Sequence, residues 1–300
     1  MPGAPETAPA AGTIYDIGYR RYEGARLGRG YAFRTLFVHS LRGAFGIGRG
    51  GRAKLVPFVL GAAILFPALV QAAVSGVSQG EGRLVDYHDY FNYVQMLLAL
   101  FCAAQAPELV STDQHQRVLP LYFSRALRRE DYAAAKLLGM IAALLILTLT
   151  PMAVIFVARL SLGTDVAAAW RAEDQAILPI LGACLAAATV MGSLSLALAA
   201  LTPRRAFASA AILGLFLLTG AVASILFETL EGPLQRHALL INPLLTVHGT
   251  ILWMFGELPA APPRPGGVMP LEGWKFLANA VAMAALGAAV LFTRFARVRV

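Results

Sequence analysis

Charge is what this sequence has least of. Asp, Glu, Lys and Arg together make up 14% of its 300 residues, where an average soluble domain carries about 25%. Cysteine is scarce as well: Cys102 and Cys184 are the whole complement. That excludes a disulfide framework and a Cys-rich metal site, and both are expected to be small buried hydrophobes inside apolar runs. The five histidines, His39, His88, His115, His237 and His248, are scattered and form no His-Glu-x-x-His pair, so no metal centre is expected. A Gly-x-x-x-x-Gly-Lys-Ser/Thr phosphate loop is also missing, so the chain has no ATP-binding motif of this type. The apolar runs hold almost no ionisable groups, which argues against an intramembrane enzyme and against a proton- or sodium-coupled carrier.

What fills the chain instead is apolar sequence, 58% of all residues. Runs of about 18 or more apolar residues span a bilayer, because about 20 residues at 1.5 Å rise cross a hydrocarbon core of about 30 Å. Six runs qualify: Leu55–Val77, Tyr90–Val110, Leu137–Leu160, Ala176–Leu201, Phe207–Phe227 and Phe276–Phe295. Only helices satisfy their own backbone inside lipid, so the fold class is all-α, a polytopic membrane protein with six transmembrane helices. Pro57, Pro67, Pro107, Pro151 and Pro179 fall in or near these runs and are expected to kink helices. Rows of small residues, Gly182, Ala186, Ser193 and Ala197 in the fourth run and Ala278, Ala282 and Ala285 in the sixth, permit close helix packing.

The basic residues settle the expected orientation. Residues 1–54 hold nine Lys and Arg; the stretch 78–89 holds one; 111–136 holds five; 159–175 holds two. Arg204 and Arg205 sit together in the tight loop 202–206, residues 228–275 hold three, and Arg294, Arg297 and Arg299 close the chain. High and low density alternate, which is the positive-inside pattern for six spans with both termini in the cytoplasm. The net charge of +8 needs no nucleic acid to explain it.

Between the spans, three segments carry structure. Residues 1–30 open on a polar, Pro-rich stretch and are expected to be a flexible cytoplasmic segment. In 31–45, Phe33, Leu36, Phe37, Leu41, Ala44 and Phe45 recur at helical spacing, with Arg34, His39 and Arg42 off that stripe. This is the pattern of a helix lying in the membrane interface; with the Gly-rich basic turn after it, residues 31–54 form an interfacial unit ahead of the membrane domain, 55–296, and a short cytoplasmic C-terminus, 297–300. The apolar stretch 237–255 is broken at Asn242-Pro243 and again at His248-Gly249. It is expected to form short broken helices that dip into the outer leaflet before the sixth span.

The stretch "STDQHQRVLPLYFSRALRREDYAAAKLLG", residues 111–139, is the one basic island between long apolar runs. Ser111 with Gln114 three residues on reads as a capping box, and Glu130 and Asp131 suit a helix start. Aromatics beside arginines fit either a protein-docking surface or a topology anchor touching lipid headgroups. Glu108, after Pro107 at the end of the second run, is a candidate gating residue or ion-pair partner of an Arg from the 111–136 loop or the interfacial helix, a substrate contact, or plainly exposed at the interface.

The island also carries a resemblance. Asp113, Arg117-Val118-Leu119, Ser124-Arg125, Arg128-Arg129, Tyr132 and Lys136 match the first cytoplasmic loop of permeases of the ATP-binding-cassette (ABC) type-2 exporter class. Residues 14–54 resemble an actinobacterial subgroup of such membrane subunits. The resemblance implies a permease subunit in the bacterial plasma membrane, exporting a lipophilic drug, lipid or peptide. It implies that ATP and Mg are bound by two copies of a separate ABC ATP-binding subunit, and that this chain pairs with a second permease copy or a paralogue. It implies a cytoplasmic coupling helix in 111–136, with Asp113, Arg117, Leu119, Tyr122, Arg125, Arg128 and Arg129 as contacts, and a substrate path along the second and fifth spans. A non-transporting membrane sensor would keep the same loops.

Overall fold

The computed structural model describes residues 23–24, 27–77, 86–124, 127–161, 166–231, 233–258 and 271–297. Every regular element among them is a helix. In chain order they are α1 (Arg29–Ala44), α2 (Gly51–Val77), α3 (Tyr87–Leu109), α4 (Ser111–His115), α5 (Leu119–Phe123), α6 (Arg129–Ser161), α7 (Val166–Glu173), α8 (Ile177–Leu201), α9 (Arg205–Thr229), α10 (Pro233–His237), α11 (Pro243–Met254) and α12 (Gly273–Ala296). Six candidate spans are long and apolar enough to cross a membrane: α2, α3, α6, α7 run on into α8, α9 and α12. The chain is an all-α polytopic membrane protein. Of the expected flexible N-terminal segment, residues 1–30, residues 1–22, 25 and 26 lie outside the described residues, and Arg29 and Gly30 already belong to α1.

The ends of the spans differ from the apolar runs where charge enters a helix. α6 starts at Arg129 rather than Leu137. Its first turn carries Glu130 and Asp131, which suit the positive end of the macrodipole. The Arg128 backbone N–H donates to the Asp131 carboxylate at 2.9 Å, the return half of a capping box. α2 likewise starts at Gly51, so part of the expected basic turn is already helix. What remains of the turn is made by Gly46 and Gly48, at φ +67° and +93°, conformations that glycine adopts without steric cost.

One proline is absorbed by a neighbouring helix. Pro107 sits inside α3, where it cannot donate to the carbonyl four residues back. That carbonyl, Ala103, instead accepts a 2.7 Å hydrogen bond from Ser209 of α9. The helix continues through the proline because the next helix satisfies the freed group.

α12 packs along α8 and α6, α11 against α12 and α8, and α3 between α2, α8 and α9. The α8–α12 contact is close. A Cβ on Gly287 would meet the Ser193 backbone at 2.7 Å. Ala186, Ser193 and Ala197 of the expected row are buried in α8, but Ala278, Ala282 and Ala285 of α12 are exposed. The packed face of α12 is Gly273, Phe276, Ala280, Gly287, Leu291 and Phe295. The spacing of alanines could not separate these faces, because alanine is common on both.

The broken segment before α12 is present, with one correction. α10 with the 3-10 turn Ala238–Ile241, and α11, meet at an angle of 106°, so the two arms do not share one axis across a bilayer. Asn242 is the N-cap of α11, its side chain accepting from the Leu244 N–H at 2.9 Å, and Pro243 occupies the first turn, where a missing N–H costs nothing. The Leu240 carbonyl at the break accepts from Asn279 of α12 at 2.8 Å. His248 and Gly249 do not interrupt α11, which runs unbroken to Met254. Gly249 makes room instead: a Cβ there would meet the Phe276 ring at 2.5 Å. Cys102 and Cys184 are both free and buried. Gly76-x-Ser78-x-Gly80 has the spacing of a nucleophile elbow, but it begins inside α2 rather than after a strand.

Candidate functional site

The basic island folds as two five-residue helices, α4 and α5. Between them Arg117 takes φ +54°, a left-handed conformation uncommon outside glycine. Its neighbours impose that turn. α4 is pinned on one side of it and α5 on the other, both to α6.

Asp113 and Lys136 make the main pin. Lys136 Nζ lies 2.7 Å from the Asp113 carboxylate, with the lysine side chain 3% exposed. The Tyr132 hydroxyl donates to the same carboxylate at 2.8 Å. Tyr132 is itself fully buried. Its ring meets Phe295 of α12 at 4.8 Å, Tyr122 at 5.6 Å and Phe123 at 5.9 Å between centroids. The carboxylate thus ties α4 to α6, and the tyrosine ring ties α5 to α6 and α12. Burial, followed by the charge of Asp113, holds the Tyr122 phenol above its ordinary pKa, so it stays neutral.

The expected capping box at Ser111 is not formed. The Ser111 hydroxyl donates to the Ala199 carbonyl at 2.8 Å, and the Gln114 amide to the Ala200 carbonyl at 3.0 Å. Arg294 Nε also donates to Ala200, at 3.2 Å. These are last-turn carbonyls of α8, which have no partner within their own helix. Ser111 and Gln114 therefore cap a helix 86 to 88 residues away, a partner that no local pattern could reveal.

Glu108 is held between two arginines. Arg49 Nη1 lies 2.8 Å from Oε2, and Arg205 contacts Oε1. The expected ion pair exists, with partners from the Gly-rich turn and from the start of α9 rather than from 111–136 or α1. A second fork joins α1 to α6: Arg29 donates to Asp131 through Nε at 2.7 Å and Nη2 at 2.6 Å. Sequence reading missed Arg29, Arg49 and Arg205 as pairing residues. The only available signal was a basic residue close to each helix end.

The residues expected to face a partner fall into two groups. Arg117, Arg128 and Arg129 are exposed, and Arg129 reaches the Ala296 carbonyl at 3.4 Å. Asp113 faces inward, Leu119 is buried and Tyr122 is half-buried. These three hold the island in place. Arg125 lies outside the described residues. Leu121, which was not singled out, is 67% exposed in the middle of α5. On α1, Phe33 and Phe37 pack against the core while Arg34 and Arg42 are exposed. α1 lies along α6 so closely that a Cβ on Gly139 would meet Ser40 at 2.7 Å. Asn242 and Pro243 sit at the far end in the break, and His248 is half-buried in α11.

The family model described as "ABC-2 family transporter protein" matches residues 56–298. A comparison with curated proteins finds no match.

Proposed function

Since the chain belongs to the ABC-2 family of transporter proteins, we propose that its 111–129 island is where a separate ABC ATP-binding subunit docks and drives export. The observation that carries this reading is the island's attachment. It is bonded to the ends of α6 and α8, reaches the end of α12 through Arg129, and is continuous with α3. A displacement of α4 and α5 would therefore move four spans together. The outer face offers Arg117, Leu121, Arg128 and Arg129, the mixture of arginine and apolar residues enriched at protein interfaces.

ATP and Mg are bound, in this reading, by two copies of the partner, whose closure pushes two such islands toward each other. A second permease copy or paralogue completes the transporter. α9 has the least buried window of the six spans, at 17%, and α3 exposes Tyr93, Met96 and Leu100 along one face. These surfaces support a lipophilic substrate moving along the second and fifth spans. The basic loops support a cytoplasmic face at the α1 end, in a bacterial plasma membrane.

The test is a double charge reversal, Arg128→Glu with Arg129→Glu. Like charges brought together at an interface cost several kcal/mol, so ATP-binding subunit recovered with the affinity-tagged chain falls at least about tenfold. The chain itself stays membrane-inserted. If the ATP-binding subunit copurifies undiminished and hydrolyses ATP as before, the docking assignment is wrong, and the family membership stands untouched.

A further inference from the structure

α1 leaves an unexplained pocket on its outer side. A cavity of about 540 Å³ is lined by Tyr31, Arg34, Val38, His39, Arg42 and Arg49, among others. The lining holds three arginines and a histidine, and no carboxylate. Four arginines near helix ends, Arg29, Arg49, Arg159 and Arg205, each meet an acid. Arg34 and Arg42 have no carboxylate partner among the described residues. Arg49 is shared: it lines the pocket and binds Glu108.

The field in the pocket is positive. Burial, then Lys136, hold His39 below its ordinary pKa; Asp113 opposes them, and Arg49 and Arg42 add to the lowering. The walls, however, are apolar. Tyr31, Val38 and Ile47 line the pocket and are exposed. Directly after Arg49 and the turn comes the start of α2, where Leu55, Val56, Phe58 and Val59 are all exposed. A free inorganic anion has no use for that apolar continuation. A molecule with an anionic head and hydrocarbon tails does.

We propose that this pocket binds the phosphodiester headgroup of an anionic phospholipid, with Arg34 and Arg42 as its cationic ligands and the exposed face of early α2 as the seat of the acyl chains. Arg49 then has a second task, since it links the lipid site to Glu108 and so to α3 and α9. No residue of the docking island lines this pocket, and the proposal stands whether or not a partner docks there.

The experiment uses the purified full chain in detergent and eight-carbon-chain lipids, with binding followed by native mass spectrometry. Phosphatidylglycerol binds more tightly than phosphatidylcholine of the same chain length. Near an anionic lipid surface each basic side chain is worth about 1 kcal/mol, or about fivefold in affinity. Arg34→Gln with Arg42→Gln therefore weakens phosphatidylglycerol by roughly twenty- to thirtyfold and leaves phosphatidylcholine unchanged. Both side chains are exposed, so the variant folds, and Arg34→Lys with Arg42→Lys keeps most of the preference. Arg236→Gln, at the far end of the bundle, changes nothing. Equal binding of the two lipids by the unaltered chain overturns the proposal. So does an undiminished preference in the double Gln variant. Inorganic phosphate that displaces phosphatidylglycerol at equal concentration marks a free-anion site and overturns it too.

Discussion

Asp113→Ala lowers the stability of the bundle by about 3–5 kcal/mol, because it leaves a buried lysine without its counter-ion. Lys136 is 3% exposed and its ammonium lies 2.7 Å from the carboxylate; no other carboxylate is paired with it among the described residues. The same change removes the acceptor of the Tyr132 hydroxyl. Thermal unfolding in detergent reads the loss. A double variant, Asp113→Ala with Lys136→Met, separates charge from packing. Replacing both members of a buried ion pair by apolar groups is often near neutral, so the double variant recovers most of the stability lost by the single one. Equal losses in single and double variants would mean that the pair is not what holds α4 to α6.

Tyr132→Ala has a comparable effect for a different reason. The ring is fully buried and is the shared contact of Tyr122, Phe123 and Phe295. Removing a buried aromatic side chain costs about 3–5 kcal/mol, with the spread set by how far the site collapses. Here α5 is a single turn of helix whose aromatic residues rest on that ring, so it loses its seat. Tyr132→Phe keeps the ring and loses only a hydrogen bond to a charged group, worth about 1.5–3 kcal/mol. The account therefore expects Phe to retain a protease-resistant α4–α5 segment and Ala to lose it. If limited proteolysis cuts both variants equally fast, the aromatic cluster is not the anchor.

The six spans were legible because long apolar runs have few other structural solutions. Their starts were less so. Eight residues of α6, Arg129 to Lys136, fall outside the apolar run because four of them are charged, and only Glu130 and Asp131 marked the helix start. Those charges are tolerated in a helix through partners far along the chain: Asp131 meets Arg29 across 102 positions. Ser111 and Gln114 show the same limit. A capping-box spacing is a local pattern, and the carbonyls they serve belong to α8. At Asn242-Pro243 the local pattern was sufficient, because an N-cap and a first-turn proline act within their own helix. Gly249 misled for the opposite reason: a glycine in a helix can mark a close neighbour instead of a break.

In the candidate site, the contact set that the resemblance implies merges two kinds of residue. Asp113, Leu119, Tyr132 and Lys136 hold the island from within, whereas Arg117, Leu121, Arg128 and Arg129 form its outer face. Sequence pattern cannot divide these, because both kinds alternate along a few short turns.

Thiol crosslinking from α5 reports whether the ATP-binding subunit sits on the island. The native cysteines, Cys102 and Cys184, are buried, so a short crosslinker reads only an introduced thiol. Leu121→Cys places one at an exposed position in the middle of α5, and Leu234→Cys places one at the other end of the bundle, where Leu234 is 67% exposed as well. Membranes carrying the chain with its ATP-binding subunit should give a crosslinked product from position 121 and none from 234. A product from 234, or none from 121 while the two subunits still copurify, would contradict docking on the 111–129 island.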